Sequence, residues 1–301
     1  MSPRNKIIAS FISVVILFIV IKIGFPDPKR NKLHQDSFWI KKTHANTKYN
    51  IIVCGDSRVY RGFSINDLKN NIEEKLTGIN LGYSSAGFSN EYLDFAMSKL
   101  DNNAQTQMLV LGITPHSLTF EAFKNNGLKT YKNLGKVEIN KGLYLSPFLK
   151  YFEPYEPREF LRRKKMNYIQ KFEPYGWVAS SYLKPDTSKA LTSYKKTFSK
   201  YQVTNNEVNS FLRKVKEIST KGIIIIAYRP PTTHEMRMLE DSISGFNEEF
   251  IKEELISRNV IWLDFKDSDF ESYDGSHLHY NSAKKIARNV GERINKLRLV
   301  E

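Results

Sequence analysis

A single cysteine, Cys54, occurs in the 301 residues, so no disulfide can form within the chain. No cysteine and histidine residues share the spacing of a metal site, and neither a metal nor a cofactor is expected. Acidic residues are the scarcer charge, 32 Asp and Glu against 46 Lys and Arg, which leaves a net charge of +14. That excess suits anionic partners. No nucleic-acid-binding motif accompanies it, so the anionic partners expected from charge are phosphate polymers, uronate sugars or acidic lipid head groups rather than DNA or RNA. The composition, 41% hydrophobic and 26% charged, excludes wholesale disorder.

Long apolar runs are also rare, and the main one is terminal. "IIASFISVVILFIVIKIGF", Ile7 to Phe25, is broken only by Lys22. At ~1.5 Å per residue, such a helix nearly spans the ~30 Å hydrocarbon layer, with the Lys22 amine able to reach outward. The sequence therefore predicts a short cytoplasmic tail over 1–6, a transmembrane anchor over 7–25 and a polar linker over 26–48. No small-x-small cleavage site follows the run, so it reads as an uncleaved signal anchor rather than a removed peptide. Basic residues flank both of its ends, Arg4 and Lys6 before and Lys29, Arg30 and Lys32 after, so charge alone does not orient it.

From Tyr49 onward, apolar strands alternate with helical patterns. The strands read as Tyr49 to Cys54, "GINLG", "MLVLG", "GIIIIAY" and "VIWLDF". Helices are expected after Ser64, around Glu91 to Leu100, after Thr204, over Thr233 to Arg258 and from Asn281. Ser64 with Asp67 and Thr204 with Glu207 have the spacing of capping boxes. Continuous apolar strands alternating with helices predict a three-layer α/β/α domain over 49–301, with a five-stranded parallel sheet of flavodoxin-like type. The pattern lapses from about Phe120 to Lys200, which reads as a partly helical insertion beside the cleft. Its Tyr155, Phe172, Tyr175 and Trp177 suit either sugar rings or packing, and its basic run is Arg162 to Lys165.

Ligands of such folds bind beyond the carboxyl ends of the strands. Ser57 in "GDSR", Gly82, Thr114, Arg229 and the "YDGSHLHY" segment all follow strands and should share one crevice. A serine hydroxyl needs a base, and an imidazole needs a third group to fix its tautomer. Asp274 and His277, three apart in "DGSH", can supply both. His116 and His279 also fall near the crevice, and His279 ranks below His277 as the base. Arg58, Arg61, His116 and Arg229 are the candidate substrate-binding residues.

"GDS" after the first strand, Gly82 after the second and "DGSH" after the last together resemble the SGNH, or GDSL-like, hydrolase family, from about Tyr49 to Val290 apart from the insertion. The resemblance implies Ser57 as nucleophile with Asp274 and His277 completing the triad. It implies an oxyanion hole from the N–H groups of Ser57 and Gly82. Thr114 stands where the family carries an asparagine, and its hydroxyl is expected as the third donor. The anchor, "GDSR", "YRPP" and "DGSH" are similar to a membrane-anchored branch, the alginate-type O-acetyltransferases and the D-alanine transfer proteins of teichoic acids. That branch implies an esterase or O-acyltransferase acting on an exported polysaccharide, with its catalytic domain outside the cytoplasm and a multispanning membrane acyltransferase as partner. The alternative is a catalytically silent anchored protein that binds or assembles glycan.

Overall fold

The computed structural model describes residues 2–24, 32–72, 76–124, 126–149 and 168–298. Contacts divide the chain into two units, one of Met1–His44 with Leu134–Lys165, the other of Ala45–Asn133 with Met166–Glu301.

The larger unit is built on a sheet of five parallel strands. Its strands are β1 (Ile51–Gly55), β2 (Gly78–Asn80) and β3 (Met108–Gly112), followed, after a separate hairpin of β4 (Tyr168–Phe172) and β5 (Val178–Tyr182), by β6 (Ile224–Tyr228) and β7 (Val260–Leu263). The order across the sheet is β2-β1-β3-β6-β7, the order of the flavodoxin-like doubly wound fold. Pairing sets Ile52 beside Leu109 and Leu109 beside Ile225, with Val53, Val110 and Ile226 in the next row. Successive side chains leave opposite faces. Ile51, Val53, Met108, Val110 and Ile226 therefore pack on one side with Ile286, Val290 and Ile294 of the C-terminal helix Tyr280–Arg298. Cys54 belongs to the other face, where Tyr92 lies against it. Helices thus cover both faces of a sheet whose central strands have no polar side to expose.

Several boundaries differ from the sequence reading. A short helix, α3 (Ser57–Gly62), follows β1 directly, and α4 (Ile65–Lys69) comes after it. Ser64 caps α4 as expected: its Oγ accepts from the Asp67 N–H at 3.3 Å and donates to Asp67 Oδ2 at 2.7 Å. Thr204 instead gives its hydroxyl to the Glu207 carboxylate and caps no backbone N–H. The helix expected over Thr233 to Arg258 is two, His234–Ile243 and Glu248–Ile256, because Gly245 breaks it at φ 74°.

In the smaller unit, α1 (Pro3–Gly24) is long and apolar enough to span a membrane or serve as a signal sequence. Its exposed apolar side chains include Ile7, 71% exposed, and Phe11, 70% exposed. The stretch expected as a linker carries a helix, α2 (Lys32–His44), packed against the π-helical turn Lys141–Leu145. The contact is tight enough that a Cβ on Gly142 would lie 2.2 Å from Ile40 Cδ1. Tyr155 and the basic run Arg162 to Lys165 lie outside the described residues.

Candidate active site

Strand β1 stops at Gly55 for a steric reason. A Cβ there would meet Val59 Cγ2 at 2.2 Å and the Gly112 carbonyl at 2.8 Å, and Gly112, its partner across the pairing, faces the same methyl at 2.3 Å. Two glycines therefore let α3 turn in directly over the strand ends. Asp56 caps that helix, with Oδ1 accepting from the Arg58 N–H at 2.9 Å. Ser57 takes the first helical position, half-buried, and its own N–H has no partner among the described residues.

The other arm comes from the loop after β7. Gly275 sits at φ 89°, a left-handed conformation that glycine adopts without strain, and the chain curls so that Asp274 faces His277. Asp274 Oδ1 accepts the N–H groups of Ser276 at 3.0 Å and His277 at 2.7 Å, while Oδ2 lies 2.8 Å from His277 Nδ1. Ser57 Oγ lies 2.8 Å from His277 Nε2, a link across 220 positions of sequence. With the Nδ1 proton held by Asp274, Nε2 is left as the acceptor of the Ser57 hydroxyl proton. Burial, then the positive charge of Arg61, push the His277 imidazolium below the usual histidine range, against the opposing pull of Asp274. Burial works against the charged Asp274 carboxyl, but its bonds to His277 and the His277 and Ser276 N–H groups outweigh it and hold the group below the usual carboxylate range. The resting site therefore holds a neutral base beside an ionised carboxylate.

Two expected oxyanion donors are otherwise engaged. Gly82 N–H donates to Asn80 Oδ1 at 2.9 Å. The Thr114 hydroxyl donates its one proton to Asp56 Oδ2 at 2.6 Å and accepts the Ser117 N–H at 3.1 Å. Thr114 is fully buried and braces the Asp56 cap instead of facing the crevice.

Two of the arginines are also interior struts rather than substrate contacts. Arg58 is 2% exposed; its Nε donates to Ser276 Oγ at 3.0 Å and its Nη2 to the Glu240 carboxylate. Arg229 is 3% exposed and donates to Glu240 at 3.0 Å, Asp241 at 2.8 Å and Glu248 at 2.6 Å. Glu240, wholly buried, thus joins the two guanidiniums, and Arg58 ties the helix bearing Ser57 to the loop bearing His277. His116 is half-buried, with Nδ1 shut off from solvent and unpartnered among the described residues. Burial, opposed by the charge of Asp56, lowers its pKa. His279 turns away: its Nδ1 accepts the Asn281 N–H at 3.2 Å and its ring lies 4.1 Å from Tyr280.

Arg61 is the exception. Its Nη1 lies 3.1 Å from His277 Nε2, the same nitrogen that faces Ser57. The hairpin from the insertion reaches this place. Trp177, buried, donates Nε1–H to the Arg61 carbonyl at 2.8 Å, and the Tyr182 ring packs 5.0 Å from Tyr273, which in turn lies over His277 at 5.9 Å. Trp177 is thus packing, whereas Tyr175 is 41% exposed, with Lys69 4.6 Å from its ring.

Sequence reading missed Asn80, which holds the Val59 and Phe63 carbonyls at 2.8 and 2.9 Å as well as the Gly82 N–H. It also missed Tyr92, whose hydroxyl accepts the Gly55 N–H at 2.9 Å and donates to the Leu81 carbonyl at 2.9 Å. A polar residue closing an apolar strand was the available signal for Asn80. Nothing local marked Tyr92, Glu240 or Tyr194, whose hydroxyl accepts from Ser276 Oγ at 2.9 Å.

No family model matches the chain, and no curated protein does. Among solved structures it is similar to a Streptococcus pneumonia protein described as a "putative platelet activating factor", at 10% identity and a TM-score of 0.37, over 94% of this chain and 99% of that one. A likeness that loose carries no chemistry, which rests on the geometry of this chain alone.

Proposed function

We propose that the chain is a serine-dependent acyl-transfer enzyme of SGNH type, an esterase or O-acyltransferase acting on an exported polysaccharide or related polymer. The observation that carries this reading is the unbroken relay Ser57 Oγ, His277 Nε2, His277 Nδ1, Asp274 Oδ2, each link 2.8 Å long. In the first half-reaction Ser57 Oγ attacks the acyl carbonyl as its proton passes to His277 Nε2. Collapse of the tetrahedral intermediate breaks the bond to the leaving oxygen, which takes that proton and departs. In the second half, water or an acceptor hydroxyl gives its proton to Nε2, attacks the acyl-serine and restores Ser57. Asp274 stays ionised throughout and stabilises the imidazolium. Hydrolase and transferase differ here in which hydroxyl reaches the acyl-enzyme.

The unengaged Ser57 N–H supports an oxyanion site at the start of α3. The commitment of Gly82 and Thr114 elsewhere favours the second reading, a silent anchored glycan-binding protein. A neutral serine-directed phosphonate separates the two. The enzyme reading expects stoichiometric labelling at Ser57, abolished by Ser57→Ala; a folded protein left unlabelled supports the silent reading. The apolar α1 supports a membrane-tethered enzyme, and we place the catalytic unit on the extracytoplasmic side, where alkaline phosphatase fused after Glu301 is expected to be active.

A further inference from the structure

We propose that Arg61 is the docking point for an anionic group, a carboxylate or a phosphate, carried by the substrate whose acyl bond meets Ser57. This rests on the acyl-transfer reading and adds the substrate's charge to it. Arg61 Nε is shut off from solvent and has no hydrogen-bond partner among the described residues, and none of their carboxylates lies within ion-pair distance of the guanidinium. The nearest acid in the site, Asp274, has both oxygens committed to the His277 loop.

The surroundings of Arg61 are uncharged rings instead: Tyr60, with the guanidinium 5.0 Å from its centroid, and the neutral His277 imidazole at 3.1 Å. A guanidinium taken out of water without a counter-ion costs stability, and a chain seldom keeps one unless a ligand supplies the missing charge. Its planar fork matches a carboxylate or phosphate bidentately, whereas it now meets the neutral His277 nitrogen and the neutral Tyr60 side chain and leaves Nε unpartnered among the described residues. Arg61 and Ser57 both contact His277 Nε2, so an anion seated on the guanidinium lies within a few bonds of the acyl carbon under attack. The Tyr182 and Tyr273 rings beside it offer flat faces of the kind that a sugar ring packs against.

The test uses the full-length protein and three probes that share one ring: glucose, glucuronate and glucose 6-phosphate. Binding of each is measured by saturation-transfer NMR to the wild type and to Arg61→Gln, with thermal unfolding confirming that the variant is folded. At least one charged sugar is expected to bind tenfold or more tighter than glucose, and the identity of that sugar distinguishes a carboxylate from a phosphate. The advantage is expected to vanish in Arg61→Gln. Equal binding of all three probes overturns the proposal, and so does an advantage that survives the substitution. Should Arg61→Gln fail to fold, competition on the wild type decides: the favoured charged sugar slows phosphonate labelling of Ser57 and glucose at equal concentration does not. Charged-sugar binding in a protein whose Ser57 is never labelled keeps the anion site and removes the acyl-transfer reading. Labelling without any charge preference does the reverse.

Discussion

Arg58 and Arg61 leave the same six-residue helix three positions apart and meet opposite surroundings. Arg58 points into the interior, where the Glu240 carboxylate, Ser276 Oγ and the Tyr194 ring at 5.0 Å take up its charge. Arg61 instead ends with Nη1 3.1 Å from His277 Nε2, the nitrogen that Ser57 also faces. The fold gives Arg58 a buried carboxylate partner and gives Arg61 none within ion-pair distance among the described residues. The difference separates a guanidinium that holds two catalytic loops together from one that waits on a ligand, although in sequence both are simply basic residues after a serine.

The largest effect bearing on this contrast is the loss of the nucleophile that both arginines flank. Ser57→Ala is expected to lower acyl turnover by about a thousandfold or more while leaving unfolding unchanged, because triad members act as a unit. His277→Ala should be nearly as damaging, and near-normal turnover in either purified variant would reject the assignment.

Next comes the built-in charge. Arg58→Ala strands the buried Glu240 with one guanidinium fewer and is expected to cost about 3–5 kcal/mol in denaturant unfolding. Replacing Arg58 and Glu240 together by methionine should be less harmful than the single change if the pair is structural. An equally unstable double variant would break the comparison from the Arg58 side.

Thr114 gives a smaller and more diagnostic effect. Thr114→Val removes the hydroxyl that donates to Asp56 and should cost about 1–3 kcal/mol of stability, with turnover of the remaining folded protein little changed. A hundredfold fall in kcat at unchanged stability would restore Thr114 to the oxyanion site. The smallest effect is the one on pH. The charge of Arg61 disfavours the imidazolium, so Arg61→Gln should raise the His277 pKa. Turnover needs the neutral ring, so the acid limb of kcat/KM should move to higher pH, and a limb that stays in place would mean the contact with Nε2 is incidental.

How much was legible depended on whether the cause was local. The strands could be read because side chains buried on both faces need unbroken runs such as "IIVC" and "MLVLG". Ser57, Asp274 and His277 could be read because strand ends of such a sheet open on one side, and the fold brings the three together. Thr114 and Gly82 were misjudged since a residue's position after a strand does not say where its hydrogen bond goes; Asp56 and Asn80 took those donors. Arg229 was assigned to substrate for want of any sign that Glu240, Asp241 and Glu248 would surround it.

The sequence by itself determined the sheet, the helices on both of its faces, the apolar N-terminal helix and the residues able to make a relay. Each follows from periodicity, chain length or side-chain chemistry, quantities a linear order retains. Tertiary structure alone decided which polar groups are spent and which remain available. Hydrogen bonds and ion pairs here join positions as distant as Arg58 and Ser276, and a buried donor takes whichever acceptor folding brings within about 3 Å. Only folding could give Arg58 a buried carboxylate partner and leave Arg61, beside the base, with none within ion-pair distance among the described residues.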